Sequence, residues 1–281
     1  MTRYKFLALD VDGTLIGPDS LVGPDVADAL GRAGQAGLRV CLATGRSYIE
    51  TIGVWRQLRL TPPYEPMILI GGALVSEPDT GRTLYHKPIE PTVAQEFAEA
   101  LGRAGLAAMA IVDAWRHGWD YLLVEGPDPR QAQAGWFSKM NVKVQPVERL
   151  DRPGLPAPLR ISAVVQPRQG EPLAAELSQR FGGRLNVHSI LAPNYGVTIV
   201  EAFARAAGKH TALTYVAQAC RIALRDIVAV GDDINDLAMI RGAGLGVAMP
   251  QSRPAMRKAA AHVIEGGLAR FIDEMLAGRF D

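Results

Sequence analysis

Two carboxylates one residue apart, Asp10 and Asp12, close the first apolar run of the chain and are followed by Gly13. Burying a carboxylate is costly unless a cation or hydrogen-bond donors compensate it, so acids directly after a core strand require a reason. One reason is an Asp-Gly turn that simply ends the strand. The other is a nucleophile and a proton-transfer group at the carboxyl end of a parallel strand, where open α/β sheets bind ligands. Residues two apart on an extended chain lie on the same side, so this spacing suits a shared site.

Three more stretches take the same position, at the end of an apolar run or the start of the helix after it. They are Thr44-Gly45-Arg46, Lys209, and Gly231-Asp232-Asp233-Ile234-Asn235-Asp236. Crowded carboxylates repel one another and take up protons unless a cation lies among them. Oxygen ligands without histidine or thiolate favour a hard divalent ion, most simply Mg2+. A hydroxyl at Thr44 and an ammonium at Lys209 are the donors a phosphoryl group needs as its charge spreads in the transition state. Taken singly, Lys209 reads as a solvated lysine, Thr44 as a helix cap and Asp232-Asp233 as a turn. Taken together, four such stretches at strand ends point to one site.

The elements that must position them alternate. Tyr4 to Leu9, Leu38 to Ala43 and Pro66 to Ile70 read as buried strands. Between them, Pro24 to Ala36 (capped by Gly37) and a helix opened by Ser47 and running to about Leu58 supply crossovers. This is the pattern of a parallel sheet. Between Thr83 and Pro193 the runs shorten. Thr92 and Gln95 match a capping box for a helix to about Leu101. Residues 107–112, 121–124, 159–165, 184–190 and 196–201 read as strands, and 129–140 and 171–181 as helices. Arg152 to Pro158 is a proline-rich loop. The first pattern returns after Lys209, with a helix at 211–220, strands at 226–230 and 245–249, and helices at 254–260 and 268–276. The expectation is an α/β core of doubly wound, mostly parallel sheet at 1–83 and 192–281, with an α+β module inserted at 84–191.

The bulk composition narrows the function classes. The 281 residues are 48% hydrophobic and carry 30 Lys plus Arg against 29 Asp plus Glu. No global field favours nucleic acid or a membrane surface. Cys41 and Cys220 lie in no metal or redox motif, and no apolar run reaches the roughly 20 residues of a membrane span. A cytoplasmic protein with a small-molecule partner is expected. Nothing in the sequence addresses its oligomeric state.

Asp10-Val11-Asp12-Gly13-Thr14-Leu15, Ala43-Thr44-Gly45-Arg46, Lys209 and Gly231-Asp232-Asp233-Ile234-Asn235-Asp236 resemble, in order, the four motifs of haloacid dehalogenase-superfamily phosphatases. The long insert and Gly246-Val247-Ala248-Met249 resemble the Cof-type branch, with its Rossmann-like core and large cap. The resemblance implies a Mg2+-dependent phosphatase acting on a small phosphate ester, sugar phosphates first. Asp10 would be the nucleophile and Asp12 the general acid and base. Asp10, the Asp12 backbone carbonyl and Asp232 would hold Mg2+, with Asp236 supporting the metal or orienting Lys209. Thr44, Gly45, Arg46, Lys209 and Asn235 would bind substrate. Gly71-Gly72-Ala73 departs from the Asn-Gly-Ala common in relatives, and Ile264-Glu265-Gly266-Gly267 replaces an asparagine-rich segment.

Two other readings stay open at this level. A phosphomutase would share the aspartyl-phosphate, although no paired phosphate sites stand out. A non-catalytic phosphometabolite-binding regulator would not need the intact set of acids. Gly242-Ala243-Gly244-Leu245-Gly246 has the start of a dinucleotide fingerprint, but a helix precedes it and a strand follows, the reverse of what that motif needs. The cluster Trp115, Arg116, His117, Trp119 and Tyr121 reads as a packed hairpin or as a loop for substrate specificity.

Overall fold

The N-terminal apolar run forms a strand whose four residues are all buried, Phe6–Leu9. The computed structural model describes residues 2–17, 19–127, 137, 141–192 and 196–281. The first part of the chain forms β1 (Phe6–Leu9), α1 (Pro24–Gln35), β2 (Arg39–Leu42), α2 (Tyr48–Gln57), β3 (Met67–Leu69), β4 (Leu74–Ser76) and β5 (Thr83–His86). The middle forms α3 (Pro91–Arg103), β6 (Ala108–Ile111), a single turn α4 (Ala114–His117), β7 (Tyr121–Val124) and β8 (Val144–Pro146). It continues with β9 (Arg160–Val165), α5 (Pro167–Phe181), β10 (Leu185–Ala192) and β11 (Val197–Ala204). The last part forms α6 (Lys209–Ala219), β12 (Ile227–Gly231), α7 (Leu237–Gly242), β13 (Leu245–Ala248), α8 (Pro254–Ala259), β14 (His262–Val263) and α9 (Leu268–Leu276).

Two compact units result, one from Met1–Tyr85 with Gly208–Asp281 and the other from His86–Ala207. The first holds a parallel sheet in the order β14-β13-β12-β1-β2. A parallel bridge between Ala43 and Ile68 sets β3 beside the end of β2. Phe6 and Ala8 face a core that includes Leu213 and Val216 of α6. Leu7 and Leu9 are equally buried, and by strand alternation they face the other way. Burial on both faces is why these strands read as continuous apolar runs. The register sets Leu9 opposite both Val230 and Leu42, so β1, β12 and β2 end side by side.

The crossover helices form largely where the sequence predicts them. Pro24 lies in the first turn of α1, and Gly37 follows its C-cap with a φ of +85°. In α2 the Ser47 amide donates to Glu50 Oε2 at 2.8 Å, closing a capping box.

The second unit has a six-stranded sheet in the order β10-β11-β9-β6-β7-β8, antiparallel except where β7 pairs with β8. Its core includes Phe97 of α3 and Phe181 of α5, packed edge to face at 5.2 Å. The sequence reading closed the insert at 191, whereas the unit runs to Ala207. The reason is pairing: β11 lies between β10 and β9, so the chain through Ala204 belongs to this sheet. The predicted helix at 129–140 falls outside the described residues except for Phe137, whose ring meets Tyr121 edge-on at 5.0 Å. Among the described residues no helix is long and apolar enough to cross a membrane.

Two helix starts differ from expectation. Helix α5 begins at Pro167 rather than near Glu171 and carries Pro172 inside it. A proline this early withholds a single backbone donor, and the Gln166 and Gln169 capping box offsets that loss. Helix α3 is capped by Glu90, whose side chain accepts from the amides of Thr92 and Val93, with Pro91 in the first turn. Gln95 points inward instead, accepting from the Leu150 amide at 2.8 Å. Gln95→Ala would leave that buried amide unsatisfied, a loss of about 2 kcal/mol. Glu90→Ala removes an exposed cap worth about 1 kcal/mol. Urea unfolding of both variants should therefore place Gln95→Ala below Glu90→Ala, and the reverse order would contradict this account of α3.

Candidate active site

The aligned ends of β1, β12 and β2 deliver the sequence-predicted residues to one edge of the sheet. The Asp10 amide donates to Val230 O at 2.9 Å and the Ala43 amide to Leu9 O at 2.8 Å. Asp10 therefore emerges between the acidic loop after β12 and the Thr44 loop after β2. Lys209, the first residue of α6, is almost fully buried and donates from Nζ to Asp10 Oδ1 and to Asp236 Oδ1, each at 2.6 Å. The other Asp236 oxygen accepts from the amides of Asp232 and Asp233 at 3.1 and 3.2 Å. Asp236 thus orients Lys209 and folds its own loop together, with both oxygens engaged.

Carboxylate oxygens of Asp10, Asp232 and Asp236 all lie within 4.8 Å of one another. Glycines make the space. A Cβ on Gly231 would stand 2.5 Å from Asp236 Cγ, and one on Gly13 would stand 2.2 Å from Asp232 Oδ2. Gly13 also adopts a φ of +79°, which side chains rarely tolerate.

The remaining predicted residues divide. Thr44 is fully buried, and its hydroxyl accepts from the Arg46 amide at 3.1 Å. Asp12 does not join the acid cluster. Its carboxylate is exposed and held in a two-pronged pair by Arg46, with Nε to Oδ2 at 2.8 Å and an Nη2–Oδ1 contact at 2.5 Å. Gly45 lies between Thr44 and Arg46 on that loop, and Asn235 is half-buried in the loop of Asp232 and Asp236. The two exposed tryptophans Trp115 and Trp119 belong to the second unit, where Tyr121 is buried and Arg116 pairs with Asp113 at 3.1 Å.

The electrostatics of the cluster favour a cation. Burial pushes the Asp10 carboxyl well above its ordinary value, and Asp236 adds to this against the pull of Lys209. Burial, Asp236 and Asp233 push Asp232 up to about 6. Burial alone would lower the Lys209 ammonium, but the Asp10 and Asp236 charges outweigh it and hold the group charged. With all three carboxyls ionised, one ammonium leaves two negative charges uncompensated. An all-oxygen set with that deficit fits a hard divalent ion.

Sequence reasoning missed the turn that joins these parts. Ile70, Gly71 and Gly72 adopt φ values of 50°, 61° and 92° in succession. For the β-branched Ile70 that is a true outlier, of the kind that concentrates near functional sites. The Ile70 amide donates to Arg46 O and the Gly71 amide to Thr44 O, both at 2.9 Å. On its other side, a Cβ on Gly72 would meet Gly208 O at 2.2 Å and the Lys209 nitrogen at 2.7 Å. The turn therefore spaces Thr44 and Arg46 from Lys209. The replacement of asparagine by Gly71 also becomes intelligible, because Asn and Gly are the residues that enter the left-handed region most cheaply. The Gly-Gly pair directly after a strand was the available signal.

Comparison with known proteins places this geometry. The haloacid dehalogenase-like hydrolase family profile matches residues 7–272. The chain belongs to that family, in its Cof-type branch, and is an enzyme of its phosphatase kind. It is 26% identical to 5-amino-6-(5-phospho-D-ribitylamino)uracil phosphatase YwtE of Bacillus subtilis, covering 98% of this chain and 99% of the relative. It is 25% identical to pyridoxal phosphate phosphatase YbhA of Escherichia coli, covering 95% and 97%. A haloacid dehalogenase-like hydrolase from Bacteroides thetaiotaomicron has the same fold, with a TM-score of 0.77 at 22% identity over 97% of this chain and 99% of that one.

Two outcomes test this geometry. Gly72→Ala should cost about 3 kcal/mol or more, since backbone must move as well as strain. Gly37→Ala, also at positive φ but with open space around its Cβ, should cost about 1 kcal/mol. Similar losses in urea unfolding would contradict the close approach at Gly72. The second outcome concerns pH. Asp232 binds its proton more tightly folded than unfolded, so its contribution to stability is complete below about 3.8 and is lost as pH rises through about 6. In EDTA, Asp232→Asn should raise Tm by on the order of a few degrees at pH 8, with the gain vanishing towards pH 4. A Tm difference independent of pH would refute the assignment.

Proposed function

We propose that the chain is a Mg2+-dependent phosphatase that hydrolyses a small phosphorylated metabolite through a phosphoryl group carried on Asp10. The observation that carries this reading is the buried Lys209 shared between Asp10 and Asp236, beside Asp232, in a cluster that is two positive charges short of neutrality when its carboxyls are ionised. A nucleophilic carboxylate repels an anionic phosphate ester, and Mg2+ bound by Asp10, Asp232 and the Asp12 carbonyl would supply the charge that offsets this repulsion.

The chain's own residues account for the rest. An Asp10 oxygen attacks phosphorus in line, forming an Asp10–phosphorus bond as the ester oxygen departs. Asp12 gives that oxygen its proton, then takes one from the water that attacks phosphorus and frees Asp10. Leaving-group oxygen and attacking water occupy the same side of phosphorus in turn, so one residue serves both steps. Giving a proton requires Asp12 to part from Arg46, whose guanidinium can turn to substrate oxygens instead. Lys209 and the Thr44 hydroxyl hold the phosphoryl oxygens, with Gly45 leaving the approach open and Asn235 donating from the acidic loop. Asp236 keeps Lys209 aimed.

Sugar and sugar-alcohol phosphates are the first substrates to test. The phosphate in the YwtE substrate is borne on a ribityl chain, while that of YbhA is pyridoxal phosphate. Phosphate release from a panel of phosphorylated metabolites should require Mg2+ and stop in EDTA. Asp10→Asn should lower kcat by about 10^3-fold or more while the chain still folds and unfolds cooperatively. Turnover at the original rate in Asp10→Asn would sink the scheme. An isomeric sugar phosphate formed at constant total ester would indicate a phosphomutase.

A further inference from the structure

The loop after β13 has no part in the reaction described above, yet it reaches the site. Strand β12 lies between β13 and β1, so the acidic loop after β12 is flanked by the loops that follow its two neighbours. The Met249 amide donates to Gly231 O and the Ser252 amide to Met249 O, both at 3.1 Å, which folds residues 249–252 into a fixed turn. From that turn the Gln251 side chain extends past the acidic loop, and its Nε2 donates to the Gly13 carbonyl. On the same loop Arg253 pairs with Asp233 at 3.2 Å.

Gly13 is the residue against which the Asp232 carboxylate rests, at a distance no Cβ could share. Its amide is fixed by donation to Ile16 O at 3.0 Å, and its carbonyl by Gln251. The peptide group that carries the Gly13 carbonyl is held at its other end by the Thr14 amide, which donates to Val11 O at 3.4 Å, and with no Cβ on Gly13 it turns more easily if the carbonyl is released. We propose that Gln251 is a positioning residue for the cation site: by pinning the Gly13 carbonyl it holds the wall that orients Asp232. Gln251 itself is exposed, and the bond it donates goes to a backbone carbonyl rather than to a carboxylate. Partners that orient a ligand in this indirect way commonly change cation affinity by 10- to 100-fold when lost, whereas an exposed side chain contributes little to stability.

This inference rests on the reading of the acidic cluster as a Mg2+ site. The test uses the full chain without substrate and measures Mg2+ binding by calorimetry and by the rise in Tm that Mg2+ produces. Gln251→Met keeps the length of the side chain and removes the donor, and Gln251→Ala removes both. Both variants should match the unsubstituted chain in Tm in EDTA but bind Mg2+ about tenfold more weakly. In turnover, the Mg2+ concentration for half-activation should rise about tenfold while kcat at saturating Mg2+ stays within about twofold. Unchanged Mg2+ affinity in the two variants, or a loss of Tm in EDTA that accounts for the weaker binding, would overturn the role of Gln251 alone. Absence of Mg2+ binding by the unsubstituted chain would overturn the proposed function and this inference with it.

Discussion

One ammonium group shared by two buried carboxylates organises the first unit. Among the described residues Lys209 is the basic group that donates to Asp10, and the same Nζ holds Asp236. Taking three such groups out of water is costly, and their attraction offsets the cost only when geometry and extra hydrogen bonds are favourable. The fold supplies both: Asp236 receives two backbone amides, and the strand ends hold Asp10 against the β12 loop. Even so, the cluster stays negative. Stability and chemistry are opposed here, as is common at active sites.

The surroundings follow from that constraint. Space for the carboxylates comes from Gly13 and Gly231, and space for the Lys209 backbone comes from Gly72. Each absence of a side chain lets a charged group or a main-chain segment approach where a methyl group would collide. The left-handed run from Ile70 to Gly72 is strained, yet its amides bond to Arg46 and Thr44 while Gly72 packs against the backbone of Gly208 and Lys209. Strain of this sort persists only where neighbours over-determine it.

Much of this was legible in the sequence, and for identifiable reasons. Apolar runs ending abruptly in Asp10, Thr44 and Asp232 marked parallel strands whose ends meet, because strands buried on both faces leave a continuous hydrophobic signature. Local capping was less legible. The Thr92 and Gln95 pattern fitted a capping box, but Gln95 was drawn into the interior by the Leu150 amide, and Glu90 took the cap. The end of the inserted unit was misplaced because β11 owes its membership to pairing with β9 and β10, a long-range fact that local pattern cannot carry. The ion pair of Asp12 with Arg46 was hidden for the same reason: it joins loops from different strands.

The sheet order bears on how the protein comes into being. Strand β1 pairs with β2, only some thirty residues later, but its other neighbour β12 comes near the far end of the chain. During synthesis, β1 must wait with one edge unpaired, and Asp10 waits without Lys209, until the segment after the insert leaves the ribosome. The strands of the second unit, by contrast, all come from one continuous stretch and need nothing outside it to complete their sheet. Vectorial emergence thus favours the insert maturing before Asp10 gains Lys209 as its partner.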